Sequence, residues 1–275
     1  MSPAKPRLLY VTDLAYQARG RRYCDEDIRL SALLSADFAP ALCHPLDAVA
    51  LMDGFDAVVV RNSGPVLHYQ DRYDAFRAEA LRRGTRVYNP LTGRADMAGK
   101  RYLVELTAAG HPVIPTADGR AGLGRLPEAA SYVVKPEQGA DSIGLEILSP
   151  QELAVRPLEG LLVQPRVDFR YEVSFYFVDR TFQYALYAPD PERRWELECY
   201  DPTPADLEFA RGFIDWNTLA HGIQRVDACR TAAGGLLLVE LEDLNPYLSL
   251  DLLDEPTRSA FVAAFTASLH GFLAS

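Results

Sequence analysis

A parallel α/β layer followed by an antiparallel α+β region is the architecture that this 275-residue sequence predicts. Three observations predict it. In the first third, short apolar runs alternate with segments of helical periodicity, the pattern of a sheet covered by helices. From Tyr132 onward strand-like runs follow one another closely, with turn residues between them. The chain then closes on one amphipathic segment, Glu255–Leu273, which reads as a helix.

The elements follow in order. Arg7–Val11 is a strand, and Asp25–Leu34 carries an apolar stripe at Ile28, Leu30, Leu33 and Leu34 that predicts a helix. Ala57–Val60 is a continuous apolar strand after the turn at Asp53-Gly54-Phe55. Arg72–Arg83 is a polar-faced helix closed by Gly84, and Arg86–Tyr88 is a short strand ending at Asn89-Pro90. Met97–Leu103, which contains Lys100, reads as the start of a helix, and the chain turns loop-like around Gly119–Gly124. Strands are expected at Tyr132–Lys135, Leu145–Leu148, Leu161–Gln164, Tyr171–Val178 and Thr181–Tyr187, the last two joined by a hairpin turn. Pro165 cannot donate a ladder hydrogen bond, so Leu161–Gln164 reads as an edge strand. Ala205–Leu219 reads as a helix, and Arg225–Arg230 with Leu236–Glu242 as a hairpin around Thr231–Gly235. The apolar residues Leu236–Val239 and Leu241 read as the mark of a central strand.

Composition sets the bounds. Hydrophobic residues make up 48% and charged residues 24%, ordinary for a globular protein with a sizeable core. No apolar run approaches the roughly 20 residues that span a bilayer. The N-terminal residues Met1–Arg7 are too few and too polar to read as a signal peptide. Cys24, Cys43, Cys199 and Cys229 are scattered without a C-x-x-C pair, which suggests neither a zinc knuckle nor a disulfide framework and fits a reducing cytoplasm. A net charge of −10 argues against nucleic acid as a partner, yet leaves room for a small anion in a local pocket of opposite sign.

Lysine is nearly absent: only Lys5, Lys100 and Lys135 stand among 28 basic residues. A compact ammonium suits a phosphate oxygen in a tight pocket where a planar guanidinium does not, so the two internal lysines are candidates. Lys135 ends a strand and is followed by the small-residue loop Pro136–Gly144, whose backbone N–H groups would wrap phosphate oxygens; it is no Walker A loop. The second feature is acidic. Glu240 and Glu242 alternate onto one face of a strand, and Asp227 is a candidate for the same face on its partner. Like charges this close repel, and oxygen-only ligands call for a hard divalent ion, Mg²⁺ or Mn²⁺. Gln164-Pro165 offers free backbone groups to an adenine edge, and Glu172 is a lone carboxylate on a strand. Cys24 carries no mark of activation, and the five histidines form no spacing motif. Thr12-Asp13 and Arg61-Asn62-Ser63 follow parallel strands, where substrates sit; Arg61 pairs either a substrate carboxylate or a structural partner. The acidic run Asp25-Glu26-Asp27 reads as a solvated helix start, with attraction of an amine as the other reading.

Taken in order, Lys100, Lys135 with its loop, Gln164-Pro165, Glu172, Arg225-x-Asp227 and Glu240-x-Glu242 resemble the ATP-grasp superfamily, the fold of glutathione synthetase and D-alanine–D-alanine ligase. The similarity covers Asn89 to Leu253. Tyr171–Phe177 and Val239–Pro246 look like small bacterial members similar to glutathione synthetase, and Gly110–Thr116 has their look too. The resemblance implies an ATP-grasp region over residues 90–275, with 108–163 as its small lid, behind a parallel α/β domain over 1–89. It implies that Lys100 and Lys135 contact ATP phosphates under a loop including Gln138, Gly139 and Ser142. Gln164, Pro165 and Val167 would hold adenine and Glu172 the ribose. Arg225 would stabilise the transferred phosphoryl group beside Lys135, and Asp227, Glu240 and Glu242 would hold Mg²⁺. Many members carry E-x-N at the metal strand where this chain has Glu240-x-Glu242; Asp243-x-Asn245 offers a second register and keeps Asn245 a candidate ligand. The implied reaction joins a carboxylate, an amino acid or peptide-like molecule, to an amine through an acylphosphate. The alternatives are a phosphotransferase on the same fold and a nucleotide-binding protein without turnover. The implied partners are small molecules, with neither nucleic acid nor membrane, and dimers are common in this fold.

Overall fold

A computed structural model describes residues 4–18, 21–61, 66–139, 142–190 and 193–275. Asn62 and Ser63, together with Ala140 and Asp141 of the small-residue loop and Met1–Pro3 at the N-terminus, lie outside the described residues. The first layer is built from β1 (Arg7–Val11), a small ribbon β2 (Gln17–Ala18) and β3 (Arg21–Arg22), α1 (Cys24–Leu34), β4 (Ala39–Cys43), α2 (Ala48–Leu51), β5 (Ala57–Val60), α3 (Gln70–Arg83) and β6 (Val87–Tyr88). Its four-stranded sheet has the order β4-β1-β5-β6 and is parallel throughout, as the alternation of runs predicts. Strand β4 is legible from no alternation. It holds an edge, where Pro40 costs no ladder bond that a neighbour needs. Gly84 closes α3 in the left-handed region at φ 68°.

A connecting turn and α4 (Tyr102–Ala108) lead into a second four-stranded sheet: β7 (Ala117–Asp118), β8 (Tyr132–Pro136), β9 (Glu146–Leu148), α5 (Pro150–Val155) and β10 (Leu161–Pro165). Lys100 sits in the turn before α4, two residues short of its first turn. The sheet order β7-β10-β8-β9 corrects one expectation: β10 is an interior strand, not an edge. Pro165 is tolerated because it is the last residue of the strand, opposite Tyr132, where the ladder ends. Val134, Leu153, Leu158 and Val163 give this unit its own small core.

The third sheet is antiparallel: β11 (Phe169–Val178), β12 (Thr181–Ala188), β13 (Glu198–Cys199), then α6 (Pro204–Asn217), β14 (Ile223–Thr231) and β15 (Leu236–Glu242), in the order β13-β12-β11-β14-β15. A second expectation is corrected here. The strand bearing Glu240 and Glu242 lies at the edge of the sheet, not its centre. Its apolar character has another cause: Leu238 pairs with the segment entering the second sheet, donating to the Pro112 carbonyl at 2.8 Å and accepting from Ile114 N at 3.0 Å. Leu236, Leu238 and Leu241 are buried against α4 and α6.

The closing helix α7 (Glu255–Ala274) turns Phe261, Phe265, Leu269 and Phe272 inward. They meet Leu30 and Leu34 of α1, Leu8 and Tyr10 of β1, and Tyr176 and Tyr184 of the third sheet in one core. The first layer and the antiparallel sheet are thereby joined on a shared apolar seam. Among the described residues no helix is long and apolar enough to cross a membrane.

Candidate functional site

The hairpin β14–β15 sets Asp227 opposite Glu240 and Arg225 opposite Glu242, so one face presents three carboxylates and a guanidinium. Arg225 divides its fork between the acids. It donates to Asp227 Oδ2 at 2.8 Å, to Glu242 Oε1 at 2.5 Å and to the Tyr247 carbonyl at 2.9 Å, and its guanidinium lies 5.9 Å from the Tyr176 ring. Ser174 on β11 donates to Asp227 Oδ1 at 2.6 Å. The ammonium of Lys100 bridges a second pair, donating to Asp96 Oδ2 at 2.6 Å and to Glu240 Oε1. Asp96 was not legible as a participant, although its spacing of four residues from Lys100 was a signal.

The electrostatics follow from an excess of acid in a half-buried cleft. Burial pushes the Glu242 carboxyl up to about 8, with Arg225 opposing and Asp227 and Glu240 adding to the rise. For Glu240 burial acts in the same direction, yet Lys100, a hydrogen bond shared with Asp96, and Lys135 outweigh it and hold the group well below the carboxylate range. Asp96 moves the other way, raised by burial and by Glu240. Lys100 is held firmly protonated: burial would lower it, and Asp96 and Glu240 override burial. Burial pulls the Lys135 ammonium down to about 8, with Glu240 opposing and Lys100 reinforcing the shift.

The donor set of Asp227, Glu240 and Glu242 is all oxygen, which suits a hard divalent cation. Burial is the main cause of the raised Glu242, and the neighbouring Asp227 and Glu240 add to it while Arg225 offsets part. In the arrangement described, the carboxylates turn onto Lys100 and Arg225. Among the described residues no three His, Cys, Asp or Glu side chains gather around one point. The two residues of the second register, Asp243 and Asn245, are placed differently. Asp243 points away from this face into the interior, where it accepts from Ala95 N at 3.2 Å, Met97 N at 2.7 Å and Asn217 Nδ2 at 3.0 Å. Its carboxylate is spent on holding the turn before Lys100. Asn245 lies further along and lines a cavity beside Lys100.

The loop after β8 reaches the same place. The Glu137 carbonyl accepts from Lys100 N at 2.9 Å, and the Gln138 amide lies over Gly99 where a Cβ would stand, with Gly99 itself in a backbone conformation, φ 96°, that side-chain-bearing residues rarely adopt. Gly139 lines the cavity with them, while Ser142 is exposed on the far limb of the loop. Gln164 is buried on β10 and its amide donates to Thr116 Oγ1 at 2.8 Å. Val167 follows Pro165 in the connection to β11. Glu172 on β11 takes a hydrogen bond from Arg194 Nε at 2.6 Å, a partner that no motif announced.

In the first layer one expectation is corrected, and the open choice for Arg61 falls to its structural reading. The run Asp25-Glu26-Asp27 is not a solvated helix start, since Glu26 and Asp27 are buried. Arg61, 2% exposed, is not free for a substrate. Its guanidinium donates to Asp27 Oδ1 at 3.2 Å and to the Pro246 carbonyl at 2.8 Å, and lies 3.6 Å from Glu26. Glu26 in turn accepts from Leu248 N at 2.8 Å and Leu250 N at 3.0 Å. This cluster ties the first layer to the chain after β15. Cys24 is buried and burial raises its thiol, so it has no activated character.

No family model matches the chain. A curated relative, the cycloserine biosynthesis protein DcsG of Streptomyces lavendulae, is 27% identical over 82% of this chain and 88% of its own length. Among solved structures, D-cycloserine synthetase DcsG superposes with a TM-score of 0.75 at 24% identity, covering 97% of this chain and 99% of that one. D-alanine–D-alanine ligase from Bacillus anthracis, complexed with ATP, gives 0.69 at 13% identity over 99% and 96%. ATP-grasp ligase PsnB, complexed with a precursor peptide and AMPPNP, gives 0.63 at 18% over 96% and 99%. The chain therefore has the ATP-grasp fold that the ordered residues resemble.

Proposed function

We propose that this protein is an ATP-dependent ligase that joins a small carboxylate, amino-acid or peptide-like, to an amine through an acylphosphate, releasing ADP and phosphate. The observation that carries the reading is the meeting of Lys100, the loop after Lys135 and the Arg225–Asp227–Glu240–Glu242 face on an ATP-grasp fold. In this reading residues 1–89 form the leading α/β domain and 90–275 the ATP-grasp region, with 108–163 as its lid. Lys100 and Lys135 neutralise phosphate oxygens, and the backbone of Gln138, Gly139 and Ser142 covers them. Gln164, Pro165 and Val167 hold the adenine and Glu172 the ribose, exchanging Arg194 for a hydroxyl. Asp227, Glu240 and Glu242, with Asn245, hold Mg²⁺ or Mn²⁺, which when bound supplies charge neutralisation at the phosphates. Arg225 then turns from its two acids to the transferred phosphoryl group.

The chain supplies position and charge rather than a nucleophile. Lys100 holds its proton because two carboxylates flank it, so its positive charge persists at any working pH. Loop closure keeps water from the acylphosphate, which would otherwise hydrolyse. An amino-acid substrate is favoured by the names D-cycloserine synthetase and D-alanine–D-alanine ligase, and a peptide by the PsnB complex. The reading requires neither nucleic acid nor membrane, suits the cytoplasm, and is compatible with a homodimer.

The test is phosphate release from ATP and Mg²⁺ across carboxylate–amine pairs, with Lys135→Ala as control. Release that needs both co-substrates and falls by at least about a hundredfold in the variant supports the ligase, since a displaced charge contact at the reacting phosphate is worth that much. Release with one acceptor and a stable phosphorylated product identifies a phosphotransferase. Mg²⁺-dependent ATP binding without release on any pair identifies the binding protein.

A further inference from the structure

The segment that follows β15 is held by its backbone at four points. Arg61 Nη2 donates to the Pro246 carbonyl at 2.8 Å, and the Tyr184 hydroxyl donates to the Leu248 carbonyl at 2.7 Å. The Glu26 carboxylate takes the other two, accepting from Leu248 N at 2.8 Å on one oxygen and from Leu250 N at 3.0 Å on the other. Between those amides stands Ser249 in the left-handed region, φ 52° and ψ 39°, a conformation that serine keeps only where its surroundings enforce it. Backbone N–H groups turned together in this way form a concave seat for an anion, and here the anion is the chain's own. Glu26 and Ser249 are both buried.

The same segment carries Tyr247, whose carbonyl accepts from Arg225 Nη1 at 2.9 Å. The side-chain anchors of Arg225 are Asp227 and Glu242, the acids that a divalent cation would draw off. When they turn to the metal, the Tyr247 carbonyl stays with the guanidinium, beside the Tyr176 ring. Tyr176 stacks on Tyr184 with centroids 4.3 Å apart, and Tyr247 stacks on Tyr23 at 4.9 Å, so the rings follow the same attachments.

We propose that Glu26 is a positioning residue for phosphoryl transfer: seated between Leu248 N and Leu250 N, its carboxylate sets the place of the Tyr247 carbonyl and through it aims the Arg225 guanidinium. This role rests on the ligase reading above for what Arg225 does. The groups that face Glu26 are Asp27 on its own helix, Arg61 after β5, Tyr10 on β1, Tyr176 on β11 and Tyr184 on β12. Burial pushes its carboxyl up to about 7, with Arg61 opposing, Asp27 adding to the rise, and the Leu250 and Leu248 amides opposing it. A protonated carboxyl gives up one of its acceptor oxygens, so the seat is held fully above about 7 and loosens below it.

The experiment is calorimetric titration of the full chain with Mg²⁺–AMPPNP and with Mg²⁺–ADP, because the ratio of the two affinities reads the contacts to the γ-phosphoryl group. Arg225→Gln is expected to lower the ratio about tenfold or more, as loss of a charged contact implies. Glu26→Gln, which keeps the shape but has a single acceptor oxygen, is expected to lower it about fivefold at pH 8 while ADP affinity stays within about twofold. In the parent protein the ratio is expected to rise from pH 6 to pH 8, and in Glu26→Gln that rise is expected to shrink. Lys135 and Glu242 titrate nearby but are present in both proteins, so the difference reads Glu26. Should circular dichroism show Glu26→Gln unfolded, the parent's rise and its loss in Arg225→Gln decide. A Glu26→Gln ratio equal to the parent's, where Arg225→Gln lowers it, overturns the proposal and leaves the ligase reading standing. So does an equal loss of ADP and AMPPNP affinity, the mark of a purely structural residue, and so does a parent ratio that is flat from pH 6 to pH 8. An Arg225→Gln ratio equal to the parent's, or a chain that binds neither nucleotide, overturns the ligase reading of Arg225 and the proposal with it.

Discussion

Lys135 is a lysine whose surroundings loosen its proton. Its ordinary value of 10.5 is pulled down to about 8 by burial. A phosphate beside it would raise that value again, so between about 8 and the raised value, binding of Mg²⁺–ATP takes up a proton. Calorimetry in buffers of different ionisation enthalpy is expected to show this uptake at pH 9 and little at pH 7, and Lys135→Ala to abolish it. Affinity is expected to fall by up to about tenfold per pH unit above 8. The sign for stability is opposite. Between about 8 and 10.5 the unfolded chain binds the proton that the native chain has released, so this group's contribution to stability increases with pH across that window. At the same scale, Arg61→Ala would strand Glu26 and Asp27 as buried charges. Urea denaturation is expected to show a loss of roughly 3–5 kcal/mol, and a loss under about 1 kcal/mol would refute the cluster's role. Both the lysines and the facing carboxylates were legible, the first from their rarity and the second from strand alternation. The burial of Glu26, Asp27 and Arg61 was not, because it depends on Pro246, Leu248 and Leu250 more than 180 residues downstream. The direction of Asp243 was open in the sequence for a related reason: alternation stops where β15 ends, and the chain's turn, not its periodicity, decides which way the carboxylate points.

At the scale of elements, the apolar runs and turn residues placed nearly every long strand and helix within a residue or two, since those boundaries are set locally. Strand order was harder. An interior β10 ending in proline and an edge β15 rich in leucine both reverse what composition suggests, because neighbours from distant sequence decide which edges are covered. The strands β7 and β13, of two residues each, were missed as too short to display a period, and β4 because Ala39-Pro40-Ala41-Leu42-Cys43 is a partly exposed edge with a proline inside it. Helix α5 was missed although Ser149 and Glu152 form a capping box that announces it. Gly99 shows how an element boundary and the site are coupled. At φ 96°, with the Gln138 amide where a side chain would be, it allows the turn before α4 and the loop after β8 to touch. Gly99→Ala is expected to cost about 1–3 kcal/mol in backbone strain and to weaken AMPPNP binding about threefold or more by displacing Gln138. Circular dichroism checks the fold and calorimetry the affinity, and unchanged affinity would separate the loop from the site.

Across the whole molecule, the first layer and the antiparallel sheet share one core through α7, while the sheet containing Lys135 has a small core of its own. A ligand that bridges Lys135 to Lys100 and Glu240 would therefore join units that packing alone holds less tightly. Mg²⁺–ATP at a hundredfold excess over its Kd is expected to stabilise the native state by about 2.7 kcal/mol, read as a rise in melting temperature that Lys135→Ala removes. A rise that persists in the variant would place the nucleotide elsewhere.

The pairing of Leu238 with Pro112 and Ile114 has a consequence beyond the site. An apolar seven-residue strand at the rim of a sheet is a template on which other chains add as further strands, the usual first step toward fibrils. Here the chain's own passage between two units lies along that rim and takes up the Leu238 backbone groups. The carboxylate-bearing strand is thus shielded from self-association, and a crowded solution of this protein should lose molecules to aggregation through this rim only after residues 112–114 have first peeled away.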